Sequence, residues 1–163
     1  MNGITLTLRV LHRGERHLAQ ELLAAAERHR TEHEVHHVAT DLARWSTEHV
    51  ERIADISRHY GLNVSEAPSA SHAGFVSALR ERVAETVGRR PEPGLLLLRD
   101  LRELHLAAAE NSLHWEMLAQ TARAAREQRL LALASSCHPQ NLRQMRWTNT
   151  MIKNVCPQVL TSL

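Results

Sequence analysis

The stretch RWSTEHVERI occupies residues 44–53, and RWTNTMIKNV occupies residues 146–155. Both begin Arg-Trp followed by Ser or Thr, and both carry an aliphatic residue at the seventh place, Val50 and Ile152. Trp45 and Trp147 stand 102 residues apart. A helical segment that recurs once in this way points to two similar halves. Two helical hairpins would then be related by an internal dyad that carries the second helix onto the fourth. Trp45 falls on Trp147 and His49 on Met151.

Working outward, the apolar periodicity describes four long helices. The first covers roughly residues 5–28, with Leu8, Leu11, Glu15, Leu18, Leu22 and Ala25 in one seam. Glu15 is flanked there by leucines on both sides. The second opens on a capping box, Thr31 with Glu34. Its seam reads Val35, Val38, Leu42, Trp45, His49 and Ile56, with Ile53 beside it, and it ends at Tyr60-Gly61. The third runs from about residue 95 to 125. Leu97, Leu101, Leu104, Ala108, Trp115, Leu118 and Ala122 form one stripe, and Leu106, Ala109, Leu113 and Met117 a second. That wide apolar arc predicts the best-buried helix of the set. The fourth ends near Cys156-Pro157. It starts either near His138 or near Glu127 with a bend at Pro139, since proline suits a first turn and disrupts a helix interior.

Residues 62–94 form a long connection with Ser, Pro and Gly at both ends. Within it, residues 72–88 include an amphipathic pattern with Phe75, Leu79, Val83 and Val87 on one face. A connection this long suits a crossover from one end of a bundle to the other. The expected fold is therefore all-α: a single-domain four-helix bundle over residues 1–163 whose second-to-third crossover contains a short helix.

Composition narrows the function classes. The chain has 163 residues and a net charge of +2, and 19 of its 20 basic residues are arginine. Nothing at whole-chain level demands nucleic acid or a membrane. No apolar run reaches the ~18–20 residues of a membrane span, and the N-terminus lacks the apolar core of a signal peptide. Cys137 and Cys156 form no spaced framework, so a reducing cytoplasmic setting is expected.

The layout resembles the ferritin-like superfamily, and in finer detail the YciE/YciF group of ferritin-like, stress-associated bacterial proteins. LHRGERHLAQELLAAAERH is similar to that group's first helix, with Glu15 at its metal-binding glutamate. STEHVERIADISRHYGL is similar to the second, SHAGFVSALRERVAE to the crossover helix, and AAAENSLHWEMLA to the third, with Glu116 at the ligand position. The resemblance implies a di-metal site of iron or manganese. The chain departs from it where the second helix's glutamate falls on Trp45. The fourth helix departs too: residues 139–163 contain no Asp, Glu or His, and the matching region holds Arg146, Trp147 and Met151. Glu15, Glu116 and His49 are too few to offset two iron ions. Trp45 and Trp147 would instead fill the space where relatives hold metal, with Glu15 accepting from an indole N–H and from His49.

Other candidates read as surface features. His33 and His37 share a helix face at i and i+4, a workable zinc or nickel pair. Arg123, Arg126, Arg129, Arg143, Arg146 and Lys153 could meet an anionic partner but suit a solvated face. Neither Cys137-His138 nor Ser135-Ser136 belongs to a nucleophile motif. The expectation is a metal-free, non-enzymatic bundle, homodimeric, with a small-ligand site in its core as a further possibility. The alternative is a metal-dependent oxidase or peroxidase, or an iron-handling protein, with an altered site.

Overall fold

The computed structural model describes residues 2–66 and 92–163. Four helices account for most of them: α1 (Gly3–Arg28), α2 (His33–His59), α3 (Pro93–Ala125) and α4 (Gln128–Leu160). A 3₁₀ turn, Val64–Glu66, follows α2, and the described residues contain no strand. No helix among them is long and apolar enough to cross a membrane. The helix expected within residues 72–88 lies outside the described residues.

Local chemistry sets the helix ends. The Asn2 side chain accepts from the Thr5 N–H at 2.9 Å and caps α1. Glu92 does the same for Leu95 at 2.9 Å, with Pro93 in the first turn of α3. Gly61, at φ 66°, closes α2 as its sequence suggested. The expected capping box does not form. Thr31 precedes the helix, and Glu32 takes the cap position without a side-chain bond. α3 ends on a left-handed residue that is not glycine, Arg126 at φ 58°.

The start of α4 is settled at Gln128, and the helix runs through both Pro139 and Pro157. Proline deprives the carbonyl four residues earlier of its partner. For Pro139 that residue is Ser135, which is exposed like its neighbour Ser136, so water can serve.

The strongest packing joins α1 to α2 and α3 to α4; α1 also lies along α3, and α2 meets α4 more sparingly. α1 and α3 run antiparallel, because His29 at the end of α1 reaches Asp100 near the start of α3. Tyr60 at the end of α2 donates to Glu127, where α3 gives way to α4, at 2.9 Å. Val35 near the start of α2 packs with Leu97 and Leu101 near the start of α3. The described chain thus leaves α2 at one end of the bundle and enters α3 at the other.

Burial corrects two stripes. Every residue of the first-helix seam is buried, Glu15 included. On α2 the deepest line is Ala39, Ser46, His49 and Ile53, while Val38, Trp45 and Ile56 are only half-buried. Val35, Leu42, His49 and Ile53 are buried as expected, while Val38, Trp45 and Ile56 give way to Ala39, Ser46 and Ser57, so the seam turns by roughly 50°, about half a residue. On α3 the first stripe is buried throughout, but Leu106, Leu113 and Met117 are 48%, 68% and 56% exposed. Their face points away from the three neighbouring helices, so the wide arc does not make α3 buried on all sides.

Candidate functional site

The apolar core falls into clusters along the bundle axis. One gathers Leu8, Leu11, Ile53, Trp115, Leu118 and Leu130. Another gathers Leu18, Leu22, Ala39, Leu42, Leu104 and Ala108. Between them lies a polar layer with a contribution from each helix: Glu15 from α1, Ser46 and His49 from α2, Asn111 from α3, and Asn141 and Gln144 from α4. All six are at most 2% exposed.

Glu15 anchors the layer. Trp115 donates its indole N–H to Glu15 Oε1 at 2.7 Å. Nδ1 of His49 stands 3.3 Å from Glu15 Oε2, an ion-pair distance without hydrogen-bond alignment. The other ring nitrogen, Nε2, lies 2.8 Å from Gln140 Oε1 and donates to it. Burial alone lowers the pKa of His49; Cys137 and Glu15 beside the ring outweigh it and push it up to about 10. The imidazolium also meets Trp115 edge to face, ring centres 5.7 Å apart.

The α2–α4 side is a chain of amides. Gln144 Nε2 donates to Ser46 Oγ at 2.8 Å and to the Leu42 carbonyl at 3.0 Å. Asn141 Nδ2 donates to Gln144 Oε1 at 3.3 Å and to the Ala108 carbonyl at 3.2 Å. Asn111 sits against α1 at Gly14. A Cβ added to Gly14 would lie 2.1 Å from Asn111 Oδ1 and 3.2 Å from its Cγ, so a larger residue there would have to displace the amide.

A second polar cluster closes the far end of the bundle. Asp100, 6% exposed, accepts from Arg28 Nε at 2.7 Å and His29 Nε2 at 2.8 Å on one oxygen, and from Arg99 Nη2 at 3.0 Å on the other. Burial would raise its pKa; His29, Arg28 and Arg99 together hold it far below the usual carboxylate range.

The expected site residues are therefore divided. Glu15 and His49 meet, and the acid does accept from an indole, but that indole belongs to Trp115. Trp45 and Trp147 are half-buried and pack against the cluster around Leu22 and Leu104, Trp147 also against Val35 and Leu101, rather than on Glu15. Glu116 is exposed and accepts from Gln120 at 2.6 Å, outside the layer. His33 and His37 stack at the exposed start of α2, ring centres 6.4 Å apart. Cys137 faces the layer whereas His138 turns to Ser112 Oγ at 2.9 Å, so the adjacent pair shares no site. Ser46, Asn111, Trp115, Asn141 and Gln144 were not anticipated. The signal available was two polar pairs at i and i+3, Ser46/His49 and Asn141/Gln144, one on each of two helices.

That spacing has a chemical meaning. Four-helix bundles that hold two metal ions use one acid from each of two helices and Glu-x-x-His from each of the other two. The layer here has one side chain from each of α1 and α3, Glu15 and Asn111, and an i, i+3 pair from each of α2 and α4, Ser46/His49 and Asn141/Gln144. The set offers one carboxylate and one imidazole; the rest is neutral amide and hydroxyl. Hard metal ions need anionic oxygens, and this donor set does not fit a pair of them. Among the described residues no group of three or more His, Cys, Asp or Glu side chains could hold a metal ion. No family model, curated protein or solved structure matches the chain.

Proposed function

We propose that the chain is a ferritin-like bundle whose metal-site positions have become a hydrogen-bonded core, and that it is a non-enzymatic protein. One observation carries this reading: the layer brings six polar side chains to the middle of the bundle with a single carboxylate among them. The opposite-end placement of the α2 exit and α3 start supports a long crossover of the ferritin-like kind. The exposed row Leu106, Leu113 and Met117 supports a homodimer through α3. A cytoplasmic, stress-related role extends the resemblance of the sequence to the YciE/YciF group.

Metal analysis of protein purified without chelator tests the reading. It should find well under one equivalent of iron or manganese per chain. Two equivalents bound at mid-bundle would refute it and favour the metal-dependent oxidase or peroxidase.

A further inference from the structure

Four buried polar atoms of the layer have no hydrogen-bond partner among the described residues: Glu15 Oε2, His49 Nδ1, Asn111 Nδ2 and Asn141 Oδ1. Each comes from a different helix. Buried polar groups of native proteins are nearly always satisfied, at a cost of about 1–3 kcal/mol for each that is not. Two of them are in contact, and contacts of the other two side chains tie them to the same level of the bundle. His49 Nδ1 is 3.3 Å from Glu15 Oε2. Asn111 abuts Gly14, the residue before Glu15. Asn141 is bonded to the Ala108 carbonyl, one turn before Asn111 on α3.

We infer that the middle of the bundle is a binding site for water, with at least one molecule held among these four atoms. The inventory of donors and acceptors selects the ligand. Glu15 Oε2 and Asn141 Oδ1 accept; Asn111 Nδ2 donates, and so does Nδ1 of the His49 imidazolium. Water gives two hydrogen bonds and takes two, and buried waters make about three. A cation would face two N–H donors, and an anion would face a carboxylate. The remaining unpartnered buried atoms, Ser57 Oγ, His114 Nδ1 and Trp147 Nε1, share no such cluster and form no site. The inference rests on the metal-free reading of the layer, yet the two can fail separately.

The test is a crystal structure of the full chain at a resolution that shows ordered water, paired with water relaxation dispersion in solution. Density within hydrogen-bond reach of Asn111 Nδ2 and Glu15 Oε2, with no anomalous scattering, is the expected result. Asn111→Leu should remove at least one long-lived water per chain from the dispersion; it breaks no side-chain hydrogen bond among the described residues. A dry layer in metal-free protein would overturn the water site alone. An anomalous scatterer there would overturn both readings. If Asn111→Leu does not fold, the density in the parent protein decides.

Discussion

Glu15 and Asp100 are both buried acids that face a histidine, and the bundle satisfies them in opposite ways. Asp100 lies near a helix end, where Arg28 and Arg99 can keep part of each guanidinium in water while bonding it. Glu15 lies at the middle level, fully buried, where no long cationic side chain reaches from the surface. It receives one indole N–H and one imidazolium instead. The contrast teaches that depth decides the kind of partner. Rim acids can be held by mobile charges, whereas a central acid depends on groups locked into the same core.

The sharpest way to break the comparison is to delete each carboxylate. Glu15→Leu strands a buried indole N–H and a buried imidazolium, so it should cost about 3–5 kcal/mol in urea unfolding. Asp100→Leu releases Arg28 and Arg99 to solvent and takes from His29 its acceptor, so about 1–2 kcal/mol is expected. Glu15→Gln keeps the acceptor for Trp115 and should cost less than Glu15→Leu. Equal costs for the two leucine variants would show that depth does not matter.

The next effect is spread over pH. His49 is raised from 6.5 to about 10, so its contribution is whole below pH 6.5 and fades as pH climbs toward 10. Asp100 is lowered from 3.8, so its contribution is whole above that value and lost as pH falls through the acid range beneath it. His49→Gln should flatten the alkaline limb of the stability profile and Asp100→Asn the acid limb. A parent profile without an alkaline limb would contradict the central ion pair.

Gly14→Ala tests how tightly the layer is built. Alanine favours a helix by about 1 kcal/mol over glycine, but the new Cβ collides with the buried Asn111 amide. A net loss of about 1–2 kcal/mol is expected; a gain would mean that Asn111 moves freely. The smallest change is Arg126→Gly, which relieves a left-handed residue and should stabilise by about 0.5–1 kcal/mol. Its thermal midpoint should rise with the layer untouched.

The four helices were legible because their apolar spacing is regular and Gly61 marks the end of the second. Glu15 was legible too, as an acid inside a leucine seam with His49 as a partner. The rest of the layer was hidden by the same periodicity that revealed the helices. Trp45 attracts the seam by its size, yet a half-buried indole can lie at the edge of a core while small Ser46, one residue on, faces its middle. Asn141 and Gln144 read as surface residues because neutral amides are common there, and only their bonds to Ala108 and Ser46 reveal the burial. The outer row of α3 failed in the reverse sense: an apolar stripe shows what could be buried, not what covers it.

The burial of Trp115 against Glu15 and His49 has an optical consequence. Of the three tryptophans, it alone is wholly sealed from solvent. The imidazolium of His49 at 5.7 Å is a quencher of indole emission. The fluorescence of the folded chain should come chiefly from Trp45 and Trp147. Trp115 stays dim until the core opens and separates it from that ring, so the brightening of a single residue reports the loss of the central layer.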